Sequence, residues 1–424
     1  MKQKLKDFFS KKFSRDVASN LTATMVTALS GLLLNTIVGI HYGAAGLGIY
    51  NYCLAVYVIL SIVSTLGIPN SIVRHVARCK TSGEEPVVVA FSGLYLITIV
   101  SILTTCCAEL YFCSSWFSGS AEKRLALCSI LLSLPLFSIN KGYRAYLNGL
   151  REMRLHATSE ACRWLLVLAL TCVVVFLRLP LSVTTAAYLG AEALLLVAFL
   201  FHFRGIPKLR VSQVLAASRE HLNFGLKTFI GSSLLIINNK LDILIVSSLM
   251  DDRSTGIYSF ASEIAKRLLA LCEVVQINFS PIVSQLTARD EIGKLQEHFK
   301  QIKRVMWKVT LSMLVAALVG YPLYIWLVMG SAEYLNSIPV FVIISCGAAY
   351  ASLYFWAGTV LSMAGYPEDS LIRNSILLIC TISLNLLFTR YLGLYGAAAA
   401  TACAYAIRVV TLKYFIRRRL GIEL

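Results

Sequence analysis

Along this chain, runs of about twenty apolar residues alternate with short polar stretches. A helix needs about that length to cross a bilayer, so the alternation predicts a series of membrane-spanning helices. In the first half the predicted spans are Ser19 to His41, Gly48 to Ile68, Val87 to Phe112, Leu125 to Tyr146, Ala157 to Phe176 and Val183 to Phe203. In the second half they are Leu222 to Met250, Gly256 to Val283, Val305 to Met329, Ile338 to Ala364, Leu371 to Phe388 and Leu394 to Phe415. Runs such as "LLVLALTCVVVFL" are apolar on every face, whereas the strand of a membrane barrel would alternate over about ten residues. The fold class expected is an all-α polytopic membrane protein with about twelve helices.

Six spans on each side of the polar stretch "FRGIPKLRVSQVLAASRE" predict two six-helix lobes, 1–205 and 206–424. Weak internal similarity supports that division. Gly48-Ile49-Tyr50 and Gly256-Ile257-Tyr258 each open a second span, "LNGLRE" and "MAGYPE" each close a fourth, and "RLPLSVTTAA" and "RYLGLYGAAA" each lead into a sixth. With an even number of spans per half the two copies share one orientation, as in a parallel repeat about an axis along the membrane normal.

Composition agrees with this pattern. Of 424 residues 57% are hydrophobic and 14% charged, with a mean hydropathy of +0.72. The formal charge of +17 acquires its meaning from where it falls. Roughly 29 Lys and Arg lie at the start, the end and in alternate connections, and about 5 in the opposite connections, so the positive-inside rule places both termini in the cytoplasm. This surplus meets anionic membrane lipids and gives no reason to expect nucleic acid. The basic start runs into a full-length span, which reads as an uncleaved insertion signal, with Phe8, Phe9 and Phe13 in the headgroup plane. The longest hydrophilic connections, 203–222 and 286–304, are too short for a nucleotide-binding domain, and the chain has no GxxxxGK[ST]. The twelve cysteines form no CxxC or Cys/His pattern of metal-ligand spacing; a bridge among Cys106, Cys107 and Cys113 is conceivable.

Chemistry is concentrated in "NNKLDILIVSSLM", residues 238 to 250, where Asn239, Lys240 and Asp242 sit within an apolar span. A charged residue at the centre of a spanning helix costs about 2.5–3.5 kcal/mol on the insertion scale, so each must face protein or water. Lys240 and Asp242 are two residues apart, about 200° around a helix, and so need partners on another element. The next span offers Glu263, Lys266 and Arg267, with the carboxylate three and four residues before the cations. Such a network is either a lattice that holds two helices together or the lining of a wet cavity for an anion or a coupling ion. Glu192 and Arg408 are lone charges in the sixth and twelfth spans. Asn140, Lys141, Arg144 and Asn148 read as headgroup contacts at an inner helix end, and Glu160 with Arg163 as a local pair. Short outer connections without GxSxG or paired acids exclude a catalytic site, so no enzyme is expected.

The passage "NNKLDILIVSSLMDDRSTGIYSFASEIAKRL" and its counterpart "YGAAGLGIYNYCLAVYVILSIVSTLGIPNSIVRHVAR" resemble the Wzx-type oligosaccharide flippases. These are polysaccharide biosynthesis proteins of the multidrug/oligosaccharidyl-lipid/polysaccharide exporter superfamily. The resemblance implies two lobes working by alternating access in a bacterial inner membrane. It further implies transfer of an undecaprenyl-diphosphate-linked oligosaccharide to the periplasmic leaflet for O-antigen or capsule, beside a polymerase and a chain-length regulator. Lys240, Lys266, Arg267 and Arg408 would then line a cationic cavity for the diphosphate. Asp242, Glu263, Glu192 and Asn239 would form the coupling network for H+ or Na+, with no other cofactor. The relatives that flip lipid II generally carry two further helices, which this chain lacks. Other readings are a cation-coupled multidrug exporter and a membrane glycopolymer polymerase.

Overall fold

A computed structural model describes residues 11–82, 85–203, 211–289 and 291–423. The described residues are helical throughout, with no strand among them. Residues 1–10, including Phe8 and Phe9, and part of the polar connection expected between the lobes, 204–210, lie outside the described residues. Eight helices are long and apolar enough to cross a membrane, or up to ten if each of two bent pairs forms one span.

The first two predicted spans form one helical run, Lys11–Val63, and the last two another, Pro367–Leu420. The apolar part of the first, Ser19–Val63, would measure roughly 68 Å if straight, about twice the hydrocarbon thickness of a bilayer. Each run is divided by a single glycine. Gly43 has φ 70, ψ −175 and Gly393 φ 59, ψ −137, a region essentially closed to residues with a Cβ. The expected polar loop at each of these places is thus replaced by one residue.

Prolines explain other departures from the predicted boundaries. The fourth span is Ala121–Leu131 followed by Leu134–Gly149, because Pro135 cannot donate to the carbonyl of Leu131. In the eighth, Pro281 removes the bond to residue 277, and the helix bends by 43° between Gln276 and Asn278. Residues 292–304, expected within a polar connection, instead extend the ninth helix, Ile292–Tyr324. The reason is packing: Leu295, Phe299 and Met306 repeat at helical spacing and join a core with Phe279, Val283 and Trp356.

The chain divides into two compact units, Met1–His41 with Cys53–Ser233, and Tyr42–Tyr52 with Leu234–Leu424. In the first, Ile68, Ile72 and Val76 form an i, i+4, i+8 stripe packed on Ala90, Ile97, Ala145 and Tyr146. His221 fastens the Val211–Asn238 helix to this stripe: its Nε2 donates to the Val89 carbonyl at 3.0 Å, so its Nδ1 accepts from the Ser71 hydroxyl at 2.9 Å.

In the second unit the repeated Gly-Ile-Tyr sequences meet. A Cβ on Gly48 would lie 1.9 Å from the Asp252 carbonyl oxygen, and one on Gly256 1.8 Å from that of Ala44. Asn51 donates to Ser259 at 2.9 Å, 208 residues away, the offset that also relates Gly48 to Gly256 and Ala44 to Asp252. The contact is therefore symmetric under exchange of the two copies, and only glycine admits it. Positive φ also occurs within the other repeated stretches, at Arg151 and Gly365 and at Arg178 and Gly393, although these positions do not align in the repeats.

Candidate functional site

The second unit holds most of the predicted site residues, and a broken helix organises them. Val211–Asn238 stops, Leu241–Leu249 resumes at a bend of 50°, and Asn239 and Lys240 form the break. Asparagine side chains compete with helical backbone bonds, which favours interruption here. An interruption leaves backbone groups in need of partners, and in membrane proteins it is tolerated where protein or a cavity satisfies them. Lys266 does this for the Asn239 carbonyl, donating at 3.0 Å.

The adjacent helix, Asp252–Lys266, presents Tyr258, Ser262 and Lys266 one turn apart, and all three reach Asp242. Lys266 Nζ donates to Asp242 Oδ2 at 2.9 Å, Tyr258 at 2.9 Å and Ser262 at 3.2 Å. Because the Tyr258 proton points at the carboxylate, Thr401 donates to Tyr258, at 2.8 Å. Asp242 is 3% exposed, yet its other oxygen, Oδ1, has no hydrogen-bond partner. Lys240 donates to Glu263 at 2.6 Å. Glu263 thus turns to the broken helix and not to the cations of its own helix, as i, i+3 and i+4 spacing had allowed.

Asp242 and Lys266 border a cavity of about 30 Å³, together with Asn238, Asn239, Thr381, Thr401, Tyr405 and Arg408. This is room for about one water molecule or one small cation. Asn238 Oδ1 and Thr381 Oγ1 are also buried without partners. Arg408 lies 4.2 Å above the Phe355 ring, and Arg267 is exposed where the helix tightens into a short 3-10 turn, Arg267–Leu269. Neither arginine has an ion pair among the described residues. Of the four cations assigned to an anion cavity, two are thus in direct ion pairs, and the other two share the longer-range attraction of Glu273.

Glu192 stands apart from this group. It lies in the first unit, fully buried, and pairs with Arg163, while Asn140 donates to its Oε2 at 2.8 Å and to its backbone carbonyl at 2.9 Å. The local Glu160–Arg163 pair expected from i, i+3 spacing is not made. Glu160 meets Arg144 at 2.9 Å and Trp164 at 3.2 Å, because Arg163 faces another helix. Asn140, fully buried, and Arg144, 5% exposed, are thus interior residues and not headgroup contacts. Phe137 lies 4.7 Å from the Arg163 guanidinium carbon. A separate cavity of about 610 Å³ in this unit, lined by Leu147, Leu155, Leu165, Leu194 and Phe199 among others, is apolar and suits hydrocarbon, not a phosphate.

Sequence reasoning passed over Thr381, Asn385 and Thr389, a polar row on one face of an apolar helix. Asn385 is fully buried, and each of the three has a side-chain oxygen without a partner. Their four-residue spacing within "CTISLNLLFTR" is the signal that exposes them.

The family model for polysaccharide biosynthesis proteins matches residues 13–273. A multidrug resistance MATE transporter of the MOP superfamily, solved facing inward, superposes with a TM-score of 0.76 at 14% identity, over 96% of this chain and 98% of its own. The outward-facing conformation gives 0.65 at 14%, over 97% and 96%. Lipid II flippase MurJ in an inward closed conformation gives 0.74 at 17%, over 94% and 87%. At these identities the likeness is one of fold. No curated protein matches the chain in sequence.

Proposed function

Because this chain belongs to the polysaccharide biosynthesis protein family and has the fold of MOP-superfamily transporters, we propose that it is a flippase for an undecaprenyl-diphosphate-linked oligosaccharide. It is a multi-pass membrane protein and, by family and fold, a transporter or flippase and not an enzyme. In this reading it makes twelve crossings of a bacterial inner membrane, with both ends in the cytoplasm. By alternating access it carries repeat units for O-antigen or capsule to the periplasmic leaflet, where a polymerase and a chain-length regulator take them over.

The observation that carries the proposal is the cationic excess at the broken helix. Lys240, Lys266, Arg267 and Arg408 stand against Asp242, Glu263 and Glu273; the two arginines share the field of Glu273, but neither makes a direct ion pair among the described residues. A diphosphate is strongly attracted to such a surplus where the effective dielectric is low, and hydrocarbon alone would reject it. Arginine also matches phosphate oxygens with two parallel donors. Lys240 and Lys266 hold the carboxylates in place, and a phosphate that approached would compete with those carboxylates for them. Asp242 supplies the second element of a transporter, a site for the driving ion. Its free Oδ1 shares a cavity of single-ion size with the oxygens of Asn238 and Thr381, an all-oxygen set of the kind a proton or Na+ takes.

Deleting the gene should make lipid-linked repeat units accumulate in the cytoplasmic leaflet. Arg408→Ala or Arg267→Ala should reproduce that defect with protein still present in the membrane. Full surface polymer in both variants removes the diphosphate assignment. A multidrug exporter is the second reading, favoured by the superposition on MATE transporters. Altered drug sensitivity with normal glycolipid would establish it instead.

A further inference from the structure

Away from the ion network, the first unit gathers two thiols and a carboxylate at one end of a helix pair. Glu109 and Cys113 are one turn apart at the end of Pro86–Cys113, and Cys128 lies on Ala121–Leu131. The Cys113 and Cys128 sulfurs are 3.5 Å apart, Cys113 Sγ is 4.0 Å from Glu109 Oε2, and one ligand atom from each residue falls within 4.8 Å of the others. Cys106 and Cys107, the other cysteines of this helix end, are outside the group.

Two features distinguish this arrangement from a chance meeting of side chains. Glu109 Oε1 is buried without a hydrogen-bond partner, and no ion pair with Glu109 exists among the described residues. Glu109 as a whole is half-buried, and among the described residues its carboxylate faces only the two thiols. The turn between the two helices is also fixed by its own bonds. Ser114 Oγ donates to the Tyr111 carbonyl at 2.7 Å, Lys123 N to Ser120 Oγ at 3.2 Å, and Arg124 to the Phe117 carbonyl at 3.1 Å. These side-chain-to-backbone bonds fix the turn that brings Cys128 opposite the other two.

We propose that Glu109, Cys113 and Cys128 bind one divalent, thiophilic cation of the zinc class, with water as the fourth ligand. Tetrahedral zinc holds sulfur at about 2.3 Å and carboxylate oxygen at about 2.0–2.2 Å, which separates neighbouring ligand atoms by roughly 3.3–3.8 Å. The observed spacing reaches that by small side-chain rotations. Thiolates exclude the oxygen-seeking Mg2+ and Ca2+. Uptake of one M2+ releases the two thiol protons, and the exposed Cys113 provides the way in. The bound ion clips the two helices together at this end of the first unit.

The test is a titration of the purified full-length protein, reduced and in detergent, with Cd2+, read by thiolate-to-metal absorption. The other ten cysteines are controlled by comparison with variants. One tight equivalent should be present in the wild type and absent from Cys113→Ser and from Cys128→Ser. Glu109→Gln, which leaves both thiols but replaces a charged ligand by a neutral one, should retain the equivalent and bind it measurably more weakly than wild type. Gel filtration confirms that each variant is folded. Identical titrations of wild type and both serine variants overturn the site. So does recovery of a Cys113–Cys128 disulfide from freshly alkylated membranes, since the thiols would then be consumed by each other.

Discussion

Each unit buries ionic groups in apolar helices, and the two do so differently. In the first, Arg163 and Glu192 are 5% and 0% exposed in their side chains, and Asn140 occupies the second carboxylate oxygen. All three sit on unbroken stretches of helix. In the second, Asp242 leaves one oxygen free beside a cavity, its neighbours Asn239 and Lys240 interrupt a helix, and Lys240 and Glu263 keep about a fifth of their side-chain surface exposed. In the first pair both carboxylate oxygens are filled, and the vacant atom is the neutral Asn140 Oδ1. A network with a vacant carboxylate oxygen, a cavity and a broken backbone retains chemistry to use, and its groups can exchange partners. Under the proposed function, the open group is the one with chemistry to use in transport.

The largest effect is expected at Asp242. Asp242→Asn keeps the shape but removes the charge that holds Lys266, and surface polymer should fall at least 100-fold while the protein remains in the membrane. Normal polymer from this variant would break the comparison outright. Next is Glu192→Gln, which leaves Arg163 buried without a carboxylate. Removing one partner of a buried pair costs about 3–5 kcal/mol, so thermal unfolding in detergent should occur well below that of the wild type. Replacing both partners, Arg163→Met with Glu192→Leu, should recover most of that stability and keep transport. Abundant but inactive double variant would give the first unit a role in transport as well.

A smaller effect separates two turns of positive φ. Gly393→Ala should cost about 1–3 kcal/mol, because φ 59 with ψ −137 excludes a Cβ, whereas Arg178→Gly should be nearly neutral, since a side chain already occupies that turn at φ 52. Thermal midpoints of the two variants measure the contrast. The smallest change is expected on exchanging Lys240 and Glu263. The exchange keeps one ion pair between side chains that are about four-fifths buried, so the midpoint should stay near wild type while polymer falls less than in Asp242→Asn. A polymer loss as deep as that of Asp242→Asn would rank this pair equal to Asp242 in transport.

Much of this was readable in the residues. The apolar runs, the basic connections and the Gly-Ile-Tyr repeat mark an all-helical membrane protein with internal duplication, because hydrocarbon imposes span length and excludes unpaired backbone. The breaks at Pro135 and Pro281 follow from proline's missing donor and were available to a closer reading. Partner choice was not. Spacing suggested Glu160 with Arg163 and Glu263 with Lys266, and the fold gave each of these groups a partner on another helix. Local spacing limits which groups can meet along one helix and is silent about its neighbours.

The sequence by itself determined that charged groups in apolar spans would need compensation, since a lone charge in hydrocarbon is prohibitively unfavourable. Only the tertiary structure decided which oxygen stays vacant, where the helix breaks, and that Arg408 and Thr381 from distant segments border the same small cavity as Asp242. Those outcomes depend on how helices rotate and cross, and crossing is settled by side-chain packing summed over many residues, which no single stretch of chain contains.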